Sequence, residues 1–378
     1  MIALNKPPHR GVRPGAPLGS GADLSEATPP LDASPSDAPT TVSRSPAGSS
    51  EFRPRPLQRI GPYRLVERLG RGAQGEVWKA VGEVGRGFQA LKILNPGTSI
   101  NPRRLAQFRR EAERGARLDG PSLLRVVDAG EADGCFYMAM PYVEAVTLAD
   151  VIRERRLRRD DRQPDPEPVH PLVDLDRPAY YLEAARVLAG VARALHRIHA
   201  RRVAHRDVKP GNVLLERRAP HRAFLCDLGL GRDLDHATVE QMRDGAGTPM
   251  YMAPERLLRA PADEVLADVY SMGVTSFEAL TLGRMVDPIR DVPPPALGPI
   301  LARARRKAPR AVDPELPASL ETVLLGALAR SPRDRFQTAE DLADALEAVV
   351  PKARRELGLG VSPASAPHFR DARRLRAR

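Results

Sequence analysis

An aspartate, a lysine and an asparagine stand at positions 207, 209 and 212 within one short run, His205-Arg206-Asp207-Val208-Lys209-Pro210-Gly211-Asn212. Asp207 can take a proton from a hydroxyl, or orient that hydroxyl for in-line attack. Lys209 can neutralise charge on a phosphoryl group in transfer. Asn212 and, further on, Asp227 in Cys226-Asp227-Leu228-Gly229 supply oxygen ligands of the hard kind that Mg²⁺ prefers. Together these residue types suit phosphoryl transfer to a hydroxyl.

Two upstream features fit the same chemistry. Gly70, Gly72 and Gly75 form a G-x-G-x-x-G followed by Val77. Glycines let backbone amides approach phosphate oxygens closely. By itself the pattern also fits an ordinary glycine turn or a dinucleotide-binding fold. The latter requires a helix next and an acid roughly 20 residues on. Here Glu76 to Val81 reads as a strand, and no Asp or Glu lies near Asn95, which favours a hairpin over the phosphates. Lys92 sits in the apolar run Ala90-Leu91-Lys92-Ile93-Leu94 and needs an anionic partner there, unless it points from an edge strand into water. Glu111 is the chosen partner. Glu113, the competitor, lies about 200° round the same helix.

The elements that position these residues fall into two groups. Tyr63 to Leu69, Glu76 to Val81, Phe88 to Leu94, Val126 to Ala129 and Phe136 to Met140 read as strands, with a charged helix over 103–118. Order begins near Tyr63. After Tyr142 the pattern turns helical, at Tyr180–Ala200, Ala267–Leu282, Leu320–Ala329 and Ala339–Val349. Residues 153–178, dense in Arg, Asp and Pro, read as a surface insertion. Residues 1–58 are rich in Pro, Ser, Ala and Gly and read as a disordered arm whose Thr and Ser residues are candidate phosphorylation sites or plain linker. Residues 351–378 read as a basic tail.

With 378 residues and 42% hydrophobic content the chain can build a substantial core, with few aromatics (4%) in it. The 38 prolines place much of the chain outside helix and sheet interiors. The net charge of +11 raises nucleic acid as a partner. No zinc-finger spacing or aromatic nucleic-acid motif accompanies the arginine clusters, so they read as solvated faces. Two isolated cysteines, Cys135 and Cys226, make neither a disulfide framework nor a zinc site. With no signal peptide and no apolar run of transmembrane length, the expectation is a cytoplasmic protein.

In this order the motifs resemble those of the eukaryotic-type serine/threonine protein kinases of bacteria, over residues about 61–350. The resemblance implies an α+β, two-lobed fold: a small, mainly antiparallel β lobe with one main helix (61–141) and a larger, mostly helical lobe (142–350). It implies MgATP in the cleft, with Mn²⁺ as an alternative ion. Gly70, Gly72, Gly75, Val77, Ala90, Lys92, Met140, Tyr142 and Val143 then contact the nucleotide, Met140 as gatekeeper and Tyr142-Val143 as hinge. Lys92, Glu111, Asp207 and Lys209 serve catalysis, and Asn212 and Asp227 hold metal. Gly247 to Glu255 resembles the substrate-positioning loop. Glu255 should pair with Arg335, and Asp268 should brace the catalytic loop. Lys209 with Thr248 is similar to the serine/threonine branch. Protein substrates in bacterial signalling, with the chain itself among the acceptors, are implied.

Departures from the family pattern carry expectations of their own. Gly115, one turn after Glu111, stands where the family usually has an apolar residue and should leave a gap behind Glu111. The glycine-loop tip is Ala73-Gln74, without a bulky cap. Between Asp227 and Glu255 the only Thr or Ser residues are Thr238 and Thr248, although Arg206 usually signals regulation by a loop phosphate. Asp244 either substitutes for that phosphate or is an ordinary loop aspartate. Cys226 should face the ATP pocket, as a target for electrophiles or as an inert buried thiol. Rival readings are a pseudokinase scaffold and a kinase-like enzyme acting on small molecules.

Overall fold

The computed structural model describes residues 54–71, 75–83, 87–94, 102–162, 167–217, 222–227, 248–289 and 292–360. The expectations on Gly72, the Ala73-Gln74 tip, Leu228-Gly229, Thr238, Asp244 and Gly247 lie outside the described residues, as do those on residues 1–53 and 361–378.

The first lobe is an antiparallel sheet of β1 (Arg59–Ile60), β2 (Tyr63–Arg71), β3 (Gly75–Gly82), β4 (Phe88–Leu94), β5 (Asp128–Ala132) and β6 (Cys135–Pro141), in the order β1-β2-β3-β4-β6-β5. Period-2 patterning is plain in β2, where Tyr63, Leu65 and Leu69 are buried. Order starts earlier than Tyr63, because Leu57 N–H already donates to the Leu65 carbonyl at 2.8 Å. The β2–β3 hairpin is strand–loop–strand, with Gly70 opposite Val77, so the glycine loop feeds a strand. Gly75 has a packing reason to be glycine: a Cβ there would stand 1.9 Å from the Ile93 carbonyl oxygen of β4.

Strand β5 lies two residues later than Val126 to Ala129 suggests. The hairpin turn sets its place: Asp133 and Gly134 both have positive φ (52° and 70°), the two-residue geometry that Asp-Gly favours. The lobe's helix, α1 (Pro102–Ala116), packs Phe108 and Ala112 against Leu94, Val126, Met138 and Met140. Gly115 leaves no gap there. The position its Cβ would take is 2.5 Å from Val126 Cγ2, so valine from the following segment fills the space.

The second lobe opens with β7 (Ala145–Thr147), which pairs with β8 (Val213–Glu216); β8 pairs in turn with β9 (Ala223–Leu225). Thr147 and Asp150 form a reciprocal capping box that starts α2 (Leu148–Arg159). Arg153 to Arg159 therefore continue a helix and do not begin a surface insertion. Glu154 is buried, pairs with Arg158 at 2.9 Å and accepts from Val169 N–H at 3.1 Å. Arg155 donates to the carbonyls of Leu172, Val173 and Leu175 at 2.8–3.0 Å and lies over the Tyr180 ring. Arg158 reaches Asp174 at 2.8 Å. The stretch from 167 to 176 is thus tied down from α2.

Helix α3 (Arg177–His199) is the lobe's central rod, buried along most of its length. It starts three residues before the apolar periodicity, because Asp176 caps it and Pro178 occupies the first turn. Around it lie α4 (Glu264–Thr281), α5 (Pro294–Arg303), α6 (Ala318–Ala327), α7 (Ala339–Ala348) and α8 (Val350–Glu356). Helix α8 belongs to the lobe: Val350 and Ala353 are buried and Glu356 accepts from Ser319 N–H at 3.1 Å. The basic tail expected from 351 therefore begins no earlier than 361, beyond the described residues. No helix among the described residues is long and apolar enough to cross a membrane.

Candidate active site

Lys92 is central to the site. Its strand β4 directs it off the sheet into the gap between the lobes, where its Nζ lies 2.6 Å from Glu111 Oε1 of α1 and 3.2 Å from Asp227 Oδ1 after β9. All three side chains are largely buried, and Glu113 is exposed, which leaves Glu111 as the partner. Burial alone would drive the Lys92 ammonium toward neutrality; the Asp227 and Glu111 carboxylates overcome it and hold Lys92 above the ordinary lysine range. Lys92 therefore stays charged at any physiological pH.

The run from His205 to Asn212 lies between α3 and β8, and its backbone is held from below. Asp268, wholly buried in α4, accepts from His205 N–H at 2.6 Å and from Arg206 N–H at 2.7 Å. His199 Nε2, at 3.0 Å, is a third contact that motif reading did not single out, since a helix-end histidine carries no signal of its own. Three donors offset the desolvation of this carboxylate. Arg206 itself has φ of +65° and Asp227 of +57°, left-handed conformations that cost a non-glycine residue on the order of 1 kcal/mol and concentrate at functional sites.

His205 is completely buried. Asp207 N–H points at its Nδ1 (3.3 Å), so that nitrogen is the acceptor and Nε2–H donates to the Cys226 carbonyl at 3.2 Å. Burial pushes this imidazole down, against the pull of Asp268 and Asp207, and agrees with the neutral tautomer. The histidine thereby joins the Asp207 run to the Asp227 run. A second link is the Cys226 N–H bond to the Asn212 carbonyl at 3.0 Å.

Within the run, Lys209 Nζ sits 2.9 and 3.1 Å from the two Asp207 carboxylate oxygens. Asn212 Nδ2 donates to Asp207 Oδ2 (2.9 Å) and to its carbonyl (2.7 Å). Both amide hydrogens of Asn212 are thus used, and its Oδ1 is buried with no hydrogen-bond partner among the described residues. A buried amide oxygen left without a donor is costly unless a ligand meets it. With the Asp227 carboxylate nearby, the donor set is all oxygen and suits a hard divalent cation that takes its other ligands from phosphate and water.

An apolar cluster adjoins these groups through Cys226, whose thiol reaches the Asn212 carbonyl. Leu69, Val77, Ala90, Ala145, Leu214, Phe224 and Cys226 form one buried cluster, with Tyr142 and Val143 against it. Of the expected nucleotide contacts, Val77, Ala90, Tyr142 and Val143 come together here. Met140 belongs to the separate cluster that includes Phe108 and Ala112 of α1. Cys226 is buried within that cluster. Its thiol donates to the Asn212 carbonyl, and burial with Asp227 alongside pushes it far up from the usual thiol range. The inert-thiol alternative is the one the surroundings favour.

Further from the cleft, Glu255 and Arg335 make a two-bond pair at 2.7 and 2.8 Å, with the Arg335 side chain wholly buried. Tyr251 hydroxyl reaches Glu278, which also pairs with Arg156 at 2.8 Å, tying the segment before Pro254 to α4 and α2.

Comparison with known proteins agrees with this arrangement. The family described as "Protein kinase domain" matches residues 63–341. The tyrosine-protein kinase MasK of Myxococcus xanthus is 31% identical over 331 residues, 84% of this chain and 47% of that protein. The serine/threonine-protein kinase PknE of Mycobacterium bovis is 30% identical over 303 residues, 79% of this chain and 48% of the relative. The chain spans about half the length of these curated relatives. The crystal structure of the Mycobacterium tuberculosis PknI kinase domain superposes with a TM-score of 0.56 at 30% identity, covering 78% of this chain and 99% of that one. With the family match covering residues 63–341 and both lobes described above, the chain belongs to the protein kinase domain family.

Proposed function

We propose that this chain is an active protein kinase that transfers the γ-phosphoryl group of ATP to serine or threonine hydroxyls of proteins. The observation that carries this is the simultaneous engagement of Lys92 with Glu111 and Asp227, beside an Asp207 that already contacts Lys209 and Asn212. Gly70, Gly72 and Gly75 and the apolar residues Val77 and Ala90 take the nucleotide, with Tyr142 and Val143 at the adenine. Lys92 draws the phosphates toward the cleft. Asp207 accepts or orients the acceptor hydroxyl's proton, and Lys209 offsets charge on the moving group. Asn212 and Asp227 would hold Mg²⁺, with Mn²⁺ as an alternative; such an ion supplies positive charge to the phosphate oxygens.

Lys209 and Thr248, as read from the sequence, support serine/threonine over tyrosine acceptors. So do the names of PknE and of PrkC from Bacillus subtilis, 27% identical over 282 residues, although MasK is named a tyrosine kinase. We read residues 61–360 as the kinase domain, acting in the cytoplasm where ATP is available, with a second copy of the chain among its acceptors. The test is incubation of the full chain with radiolabelled ATP and Mg²⁺ beside an Asp207→Ala control, followed by phosphoamino-acid analysis. Label on serine and threonine in the wild type alone is expected. No Asp207-dependent label on the chain or on casein would favour a binding module, and label on tyrosine would reassign the acceptor.

A further inference from the structure

Arg206 is unexplained by the chemistry above. Its backbone is clamped in a left-handed conformation, with its N–H on Asp268 Oδ1 at 2.7 Å, while its side chain leaves the catalytic run altogether. The guanidinium goes to Glu264, the first residue of α4, with Nε 3.2 Å from Oε2. Arg256 converges on the same oxygen at 3.7 Å and, through Nη1, donates to the Arg206 carbonyl at 3.3 Å. Glu264 and Asp268 are four residues apart and so lie on one face of α4. One helix face thus presents two carboxylates to Arg206: one holds the backbone and the other the side chain. Arg256 closes the ring, because it touches both Glu264 and the Arg206 carbonyl.

The Arg206 side chain is partly exposed, so what Glu264 supplies is a fixed direction for the guanidinium. The segment 228–253 carries only Thr238 and Thr248 as serine or threonine hydroxyls, so it has few places for a phosphate to be added. Among the described residues, the anion that Arg206 contacts is Glu264, a part of the fold.

We infer that Glu264, bridged by Arg206 and Arg256, is a positioning residue that holds the Asp207 loop in working geometry, so that phosphotransfer proceeds without phosphorylation of the segment between Asp227 and Glu255. This rests on the kinase reading above. A purely structural role is the competing account, since an acid in the first turn of a helix stabilises that helix. The two differ in what they do to kcat.

The experiment uses the full chain and casein as acceptor. Wild-type protein is assayed before and after exhaustive treatment with a protein phosphatase, and Glu264→Gln, Arg206→Ala and the double variant are assayed alongside. The treated wild type is expected to keep its kcat within about twofold. Glu264→Gln should lose about tenfold in kcat, equivalent to about 1.4 kcal/mol of barrier, with KM for ATP nearly unchanged. The double variant should be no slower than Arg206→Ala, because residues acting through one contact are not additive. Loss of wild-type activity on dephosphorylation would overturn the inference, and that arm needs no variant to fold. So would a Glu264→Gln kcat equal to wild type, or multiplicative losses in the double variant. A wild type with no Asp207-dependent transfer would instead overturn the kinase reading itself.

Discussion

Gly115→Ala is expected to destabilise the domain even though it removes a glycine from a helix. In a helix interior free of tertiary contact the change would stabilise by about 1 kcal/mol. Here the new Cβ would lie 2.5 Å from Val126 Cγ2 and 3.3 Å from Val126 Cβ, against a comfortable carbon–carbon separation of about 3.5–4.0 Å. Roughly 1 Å of movement is therefore needed. Val126 is poorly able to provide it: it is buried against Leu94, Phe108, Ala112 and Met138, and its N–H is bonded to the Gly115 carbonyl at 3.1 Å. Overpacking of this kind costs about 1–3 kcal/mol, which outweighs the helix gain and leaves a net loss of about 1 kcal/mol. In a Val126→Ala background the obstructing methyl is gone, and the same substitution should stabilise by about 1 kcal/mol. Urea unfolding of the four proteins in this cycle would then show a coupling of about 2 kcal/mol, well above the 0.3–0.5 kcal/mol scatter of independent sites. Because Glu111 lies one turn before Gly115, KM for ATP should rise in the single variant and recover in the double. Gly115→Ala acting with the same sign in both backgrounds would refute the packing argument.

Other consequences can be checked independently. Arg335→Ala strands the Glu255 carboxylate among buried groups and should lower unfolding free energy by about 3–5 kcal/mol in urea titrations. Glu111→Gln should raise KM for ATP by about tenfold with a smaller effect on stability, since Lys92 keeps Asp227 as a partner. Native Cys135 and Cys226 should resist iodoacetamide at pH 8 and react once unfolded. Burial, then the nearby Asp133, pushes Cys135 up to about 11 from 9.0. The folded state therefore keeps a proton that the unfolded chain releases, and Cys135 stabilises fully below pH 9 and progressively less between pH 9 and about 11. Thermal melts across that window should decline less steeply for Cys135→Ala.

Much of the fold was legible because its signals are local. Alternation in Tyr63 to Leu69 and the helical spacing of Leu182, Val191 and Leu195 follow from which face meets the core. The site residues were legible as short runs: Lys92, Glu111, Asp207, Lys209, Asn212 and Asp227 converge as their motifs suggest. What escaped was set by contacts distant in sequence. Whether Gly115 leaves a void depends on Val126, and the end of β5 depends on the Asp133-Gly134 turn. Arginines 153–159 looked solvated by composition, yet three of them satisfy buried partners that only the folded chain brings near. The link from Arg206 to Glu264 spans 58 positions and belongs to no motif.

The clamps that α2 places on residues 167–176 have a consequence for how this chain can change over generations. Glu154, Arg155 and Arg158 secure the stretch on the far side of residues 163–166 from contacts that do not involve those four residues. A connection whose two ends are fixed separately bears only the entropy of closing a loop, and doubling its length costs about 0.6 kcal/mol. Length variation should therefore collect between Arg162 and Glu167 while α2 and α3 stay constant. The same four residues are the place where a reporter or a second domain could be spliced in with little disturbance to the Asp207 loop.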